Sequence, residues 1–90
     1  MYSEHARVRM QQRGVPPLIV EWLLQYGAVA YDHRGCRIRF FNKESRKRIR
    51  HEKGDIVLRR FHELFDCYAV VSEDGTVVTA GHAYDRIRKN

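Results

Sequence analysis

The spacing of apolar residues changes at Gly27, and this change constrains the fold more than any other feature of the chain. Before Gly27, apolar residues recur at helical intervals, as in Leu18, Ile19, Trp22, Leu23 and Tyr26. After it they occur in short runs, and from Cys36 to Phe41 they alternate with arginines. A period of about 3.6 residues indicates an amphipathic helix, and a period of two indicates a half-buried strand. The sequence therefore predicts helices first and strands afterwards.

Two short helices are predicted before Gly27. Ser3 is a suitable N-cap for the first helix, and Gly14 is a suitable residue to end it. Pro16 and Pro17 suit the opening turn of the second helix, which Gly27 ends. These signals predict a helical hairpin with a short joint.

Four short strands are predicted after the helices, over residues 28–32, 36–41, 67–71 and 76–80. Turn-forming residues at 32–35 and 73–75 join the members of each pair, so each pair is expected to form a hairpin. The sheet is therefore expected to be mainly antiparallel.

A helical insert is predicted between strands 2 and 3. Lys43 to Lys53 has the composition of an exposed basic helix, with Ile49 as its one aliphatic residue. Residues 56–65 show helical spacing, although a strand at 56–60 is an alternative, since three successive aliphatic residues suit both structures.

The predicted fold class is α+β. Two N-terminal helices are expected to pack on a mainly antiparallel four-stranded sheet, with the helical insert between strands 2 and 3. A chain of this length buries one small core. Residues 1–90 are therefore expected to form a single domain.

Positive charge is concentrated in residues 34–53. The whole chain carries a formal net charge of +6, whereas this segment holds nine Lys or Arg against Glu44 and Glu52, a net charge of +7. A basic segment of this density favours an acidic partner, either nucleic acid or an acidic protein. The alternative is a solvated charged helix without a partner.

The first helix carries a second cluster of chemically useful side chains. Residues three, four, seven or eight positions apart share a helix face, so His5, Arg9, Gln12 and Arg13 are expected on one side. An imidazole can transfer a proton near neutral pH, and a guanidinium can bind phosphate oxygens in a bidentate fork. This face is therefore suited to binding phosphate groups and to proton transfer beside them.

Several classes of site and setting are not expected. No apolar run approaches the roughly 20 residues that span a membrane, and the polar start of the chain predicts no signal peptide. Cys36 and Cys67 are expected to be reduced thiols in a cytoplasmic protein. No histidine pair has H-E-x-x-H or H-x-x-x-H spacing, so no metal and no other cofactor is predicted.

The motif H-A-R-V-R-M-Q-Q-R-G-V at residues 5–15 resembles the signature of a small prokaryotic family of domains of unknown function, which open with H-A-x-x-R-M-x-x-R-G-I/V. The segment T-A-G-H at residues 79–82 resembles the last strand of that family. In element order, these domains are similar to the RelE, ParE and BrnT-like toxins of toxin–antitoxin systems. The resemblance implies an RelE-like domain that binds RNA and cleaves it without metal, although ParE-like relatives share the framework and do not cleave RNA.

Metal-independent RNA cleavage needs a base for the ribose 2′-hydroxyl, an acid for the leaving oxygen and cations for the charged phosphorane. His5 and His82 are the candidates for base and acid, because imidazole titrates near neutral pH. Arg9 and Arg13 are the candidates for phosphate binding, and Thr79 or Tyr84 is the candidate hydrogen-bond donor.

The alternative to an enzyme is a non-catalytic module that binds nucleic acid or an acidic, antitoxin-like protein through residues 34–53. For either function, the candidate nucleic-acid contacts in this segment are Arg37, Arg39, Arg46, Arg48 and Arg50. Phe41, next to arginines on the expected outer face of strand 2, is the candidate for stacking on a base.

Overall fold

The structure is a computed structural model that describes residues 1–83, and it is an α+β fold in which four antiparallel strands form one sheet. The helices are α1 (Glu4–Arg13), α2 (Pro17–Tyr26), α3 (Lys43–Lys53), α4 (Asp55–Arg60) and a 3₁₀ helix (His62–Asp66). The strands are β1 (Ala28–Tyr31), β2 (Arg37–Phe40), β3 (Cys67–Val71) and β4 (Val77–His82), in the spatial order β1-β2-β3-β4. The predicted α+β class with an antiparallel sheet is confirmed.

Helix α1 lies along β4 and is attached to it at both ends. The Ser3 hydroxyl accepts a hydrogen bond from the Ala6 N–H (3.0 Å), as expected of an N-cap. The Ser3 N–H donates to the Val77 carbonyl (2.9 Å), near the start of β4. At the other end of α1, the Arg13 guanidinium donates to the Ala80 carbonyl (3.0 Å). The start of α1 is therefore held beside the start of β4, and the end of α1 beside the later part of β4.

The apolar core lies between the helices and one face of the sheet. Helix α2 contributes four of the five residues predicted from its spacing, whereas Leu18 is exposed. The largest fully buried side chains are Ile19, Val20, Leu23, Ile49, Cys67 and Val77. Because Ile49 belongs to this set, α3 is anchored to the same core despite its charged sequence.

The two faces of β2 are the reverse of the sequence-based expectation. Arg37 and Arg39 lie opposite Val71 and Ala69 of β3, and directly paired residues of an antiparallel sheet share a face. Since Val71 and Ala69 are buried, the two arginines point to the side on which the core packs. Phe41 follows the end of β2 and is only 6% exposed, so the expectation that it is an outward stacking residue was wrong.

The start of the segment between β2 and β3 is defined by a reciprocal cap. The Asn42 side chain accepts a hydrogen bond from the Ser45 N–H (2.8 Å), and the Ser45 hydroxyl accepts one from the Asn42 N–H (3.3 Å). This capping box satisfies two backbone donors at the start of α3. Gly54 provides the turn from α3 into α4. Its backbone φ is 94°, a value that residues with a side chain rarely adopt.

Residues 55–60 form α4, so the alternative of a strand at 56–60 was wrong. Val57, Leu58 and Phe61 are spaced so that they share one side of this helical turn, and all three pack against the core. Burial of this stripe favours the helix over a strand, which would have placed Val57 and Leu58 on opposite faces.

The helices that the structure describes are short. Helix α3 has 11 residues. Within residues 1–83, none is long and apolar enough to cross a membrane.

Candidate functional site

Two adjoining cavities form a cleft beside the 3₁₀ helix, and His62 and Asp66 line both of them. The first has a volume of about 580 Å³ and extends to the end of α1 and to His82 at the end of β4. The second, of about 540 Å³, extends to α3, where Arg46 and Arg50 line it. We call the combined space the His62 cleft. It brings the end of α1 and the basic helix α3 to one surface.

His82 is held on both sides of its imidazole ring. Nδ1 lies 2.9 Å from Asp66 Oδ1 and 3.7 Å from Cys67 Sγ, and Nε2 lies 2.9 Å from the Arg13 carbonyl oxygen. A carbonyl oxygen can only accept, so Nε2 carries a proton and donates it to this bond. The ring thereby links α1 to the 3₁₀ helix and to β3. With both nitrogens engaged by protein groups, His82 in this arrangement is better suited to positioning than to proton exchange with a substrate.

Cys67 lies beneath His82, its direct partner in the β3–β4 pair. The side chain is buried, and this burial, with a smaller contribution from the Asp66 carboxylate, raises the pKa of the Cys67 thiol to about 12. The thiol is therefore protonated at neutral pH unless a cation binds to it. Cys36 and Cys67 are both free thiols.

His62 is the exposed one of the two histidines that line the cleft. Its side chain is exposed, and Nδ1 lies 3.1 Å from the Arg59 carbonyl oxygen. That contact places a proton on Nδ1, which leaves Nε2 of the neutral ring with the lone pair that a general base requires. The sequence spacing did not single out His62, because it lies next to residues that pack on the core.

His5 lies in the first turn of α1, at the end remote from His82. Arg13, whose carbonyl contacts His82, lies eight positions after His5, which is about 12 Å along a helix. The structure therefore does not bring His5 and His82 to one phosphate. His5 Nε2 instead accepts a hydrogen bond from Arg9 Nε (3.4 Å).

The two arginines expected to bind phosphate from α1 differ in their surroundings. Arg13 is half-buried, and its guanidinium donates to the Ala80 carbonyl, so it attaches α1 to β4. Arg9 makes long contacts of 3.4 Å to His5 and to Gln12 Oε1, both on its own helix. The predicted face of His5, Arg9 and Gln12 is thus present, whereas Arg13 has a structural contact.

Arg37 and Arg39 also have structural contacts. Arg39 donates to the carbonyls of Leu24 and Gly27 (both 3.0 Å), and so satisfies carbonyl groups at the end of α2. Burial, and secondly the charge of Arg37, lower the pKa of Arg39. Arg37 donates to the Ser72 carbonyl (3.3 Å). These contacts engage both guanidinium groups with the protein backbone.

The arginines of α3 are exposed, as the sequence predicts for this helix. Arg46 and Arg50 are one helical turn apart and line the His62 cleft. Arg50 Nε lies 3.2 Å from Asp55 Oδ1, and both side chains are exposed, so this ion pair is weak. Arg48 lies over the Tyr26 ring, 5.4 Å from its centroid, on another part of the helix surface.

Tyr84, the third candidate catalytic residue, lies outside the described residues. The structure also brings His82 together with residues that no sequence motif indicated, namely His62, Asp66 and Cys67. Their convergence depends on the pairing of β3 with β4, which places Cys67 opposite His82. The only sequence signal for it was the predicted hairpin between the last two strands.

Comparison of the chain with protein-family models, with curated proteins and with solved structures found no match.

Proposed function

We propose that this chain is a nucleic-acid-binding domain that binds RNA through α3 and the His62 cleft. The observation that carries the proposal is the surface of α3. Its basic residues are all exposed, and they outnumber Glu44 and Glu52, the acidic residues of the helix; they are Lys43, Arg46, Lys47, Arg48, Arg50 and Lys53. Such a surface attracts polyanions and gains binding free energy from counterion release.

The cleft adds a binding geometry to this general attraction. Arg46 and Arg50 stand on the same face of α3, and their guanidinium groups are suited to bidentate contacts with phosphate oxygens. His62 lies across the same space. The resemblance of the opening motif to domains of RelE-like type favours RNA over DNA as the ligand. On this proposal the arginines of β2 support the fold, and those of α3 contact the ligand.

Replacing both Arg46 and Arg50 with glutamine is expected to weaken binding of a single-stranded RNA oligonucleotide by roughly tenfold per side chain at low salt, because a charge-assisted hydrogen bond contributes about 1.5 kcal/mol or more. The plot of log affinity against log salt concentration should become less steep by about 1.4, since each of the two lost phosphate contacts contributes about 0.7 to its slope. Fluorescence anisotropy of a labelled oligonucleotide, over a series of salt concentrations, measures both quantities.

The matched control is the Arg7→Gln/Arg34→Gln variant, which lowers the net charge equally at two exposed positions outside α3. It should leave the salt slope unchanged. An equal loss in both variants would show that net charge alone attracts RNA. If the wild-type protein shows no salt-sensitive RNA binding, the proposal fails. The alternative of an acidic, antitoxin-like protein partner would then be tested with the Arg46→Gln/Arg50→Gln variant.

RNA cleavage is a second candidate function, favoured by the position of His62 between the two cavities and close to the α3 arginines. In this version His62 Nε2 takes the proton of the ribose 2′-hydroxyl, solvent water in the open cleft protonates the leaving 5′-oxygen, and Arg46 and Arg50 hold the phosphate. His82 positions the end of α1. The chemistry requires no metal, in keeping with the mechanism expected from the sequence, but the proton-transfer group differs from the expected His5.

His62→Gln is expected to lower the rate of RNA cleavage by about 100-fold or more, the usual contribution of a general acid or base. The rate would be followed with a labelled oligoribonucleotide in the presence of a chelator. His5→Gln serves as the control and should retain the wild-type rate. Loss of cleavage in His5→Gln together with full activity in His62→Gln would show that His5, and not His62, is the proton-transfer group. If the wild-type protein leaves RNA intact, cleavage is excluded and RNA binding is the function.

A further inference from the structure

Three side chains with metal-ligating atoms converge at the wall of the His62 cleft. Asp66 ends the 3₁₀ helix, Cys67 begins β3 and His82 ends β4. One ligand atom from each, a carboxylate oxygen, Sγ and a ring nitrogen, lies within 4.8 Å of the other two. The spacing rules that predict no metal site apply to ligands on one helix. They do not apply here, because strand pairing assembles this cluster.

The distances fit a small tetrahedral ion. With zinc–ligand bonds of about 2.0–2.3 Å, ligand atoms of a tetrahedral site lie roughly 3–4 Å apart. Nδ1 of His82 is 3.7 Å from Cys67 Sγ and 2.9 Å from Asp66 Oδ1. The second pair must separate by a few tenths of an ångström for an ion to bind, and the Asp66 oxygen and Cys67 Sγ, which lie within 4.8 Å of each other, complete the set.

The orientation of His82 also suits a ligand. Its Nε2 lies 2.9 Å from the Arg13 carbonyl oxygen and donates to it. Nδ1 is then the ring nitrogen that faces Asp66 and Cys67, and its 2.9 Å contact with the Asp66 carboxylate requires a proton between the two atoms, which a bound cation would replace. Metal-binding histidines commonly donate their second ring N–H to a backbone carbonyl, which fixes both tautomer and ring orientation. The required outer contact is therefore present.

We propose that Asp66, Cys67 and His82 form a binding site for a divalent cation of the zinc class. A donor set of one thiolate, one imidazole and one carboxylate favours zinc over magnesium or calcium, which prefer oxygen ligands. Cys67 is buried, whereas Asp66 and His82 line the cleft, so a cation held by all three would be accessible from the cleft. This site does not depend on RNA binding by α3.

Cobalt titration of the full, chelator-treated chain tests the site, because Co²⁺ occupies zinc sites and absorbs light. We expect one equivalent of Co²⁺ to produce the visible bands of a tetrahedral ion and the near-ultraviolet charge-transfer band of a cobalt–thiolate bond. One equivalent of Zn²⁺ should abolish both. Cys67→Ser should remove the charge-transfer band. Cys36→Ser, the matched control at the other cysteine, should retain it.

Asp66→Asn is the second variant, since Cys67→Ser alters a buried position and Asp66 is 36% exposed. It should weaken Co²⁺ binding at least tenfold, because loss even of an outer contact commonly costs 10- to 100-fold. Circular dichroism confirms that each variant is folded. The proposal is overturned by a folded wild-type protein without a thiolate band, by a band that survives in Cys67→Ser, by a band lost in Cys36→Ser, or by wild-type Co²⁺ affinity in Asp66→Asn.

Discussion

Phe65→Ala is expected to lower the free energy of unfolding by about 3–5 kcal/mol, the usual cost of removing a buried aromatic side chain. Phe65 is only 6% exposed. Its ring stacks on Trp22 at a centroid distance of 6.4 Å. It also forms an edge-to-face pair with the Phe41 ring at a centroid distance of 4.9 Å. The substitution removes these contacts and leaves a cavity between α2 and the segment that carries the cleft.

Urea unfolding followed by the fluorescence of Trp22, the one tryptophan of the chain, measures this change. Tyr31→Ala is the control, because Tyr31 is 74% exposed and its truncation should change the free energy of unfolding by about 0.5 kcal/mol or less. Equal effects of the two substitutions would contradict the assignment of Phe65 to the core. Phe65 belongs to the 3₁₀ helix, so its loss should also weaken Co²⁺ binding by Asp66, Cys67 and His82 in the protein that remains folded.

Ile49→Ala is expected to lower the free energy of unfolding by about 2–5 kcal/mol. Ile49 is completely buried and is the one aliphatic residue of α3. Apart from the capping residue Ser45, every other residue of this helix is exposed. The charged helix is thus attached to the core chiefly through one side chain.

Ile56→Ala makes the same chemical change at a position that is 68% exposed, and it should alter the free energy of unfolding by about 0.5 kcal/mol or less. Both variants would be unfolded in urea, and their RNA affinities would be measured under conditions in which they are folded. We expect Ile49→Ala to weaken RNA binding as well, because α3 loses its fixed position beside the His62 cleft. A stability equal to that of Ile56→Ala would show that α3 is not held by Ile49.

The local signals of the sequence were sufficient for most elements. Ser3 caps α1 as predicted because its hydroxyl lies next to the backbone N–H groups of the first turn. Gly14 ends the helix at a φ of 66°, a conformation that glycine adopts without strain. These features depend on residues close together in the chain, so the order of residues contains the necessary information.

The candidate site was less predictable from the same information. Arg37 and Arg39 were expected to bind nucleic acid, but both donate to backbone carbonyls. Arginine in an alternating segment has the same sequence signal whether its guanidinium meets a phosphate or a carbonyl group. Phe41 was misplaced for a related reason: alternation puts it on the face of Arg37 and Arg39, and the core packs on that face.

By itself, the sequence determined the α+β class, the caps and the concentration of positive charge near α3, since these follow from composition and from neighbours within a few residues. Only the tertiary structure decided which histidine faces which group. Pairing of β3 with β4 places Cys67 opposite His82, and docking of α1 brings the Arg13 carbonyl to the His82 ring. Such contacts join residues as far as 69 positions apart in the chain. They form because the core closes around buried apolar side chains, and that closure, rather than any spacing in the sequence, places His62 and the α3 arginines on one cleft.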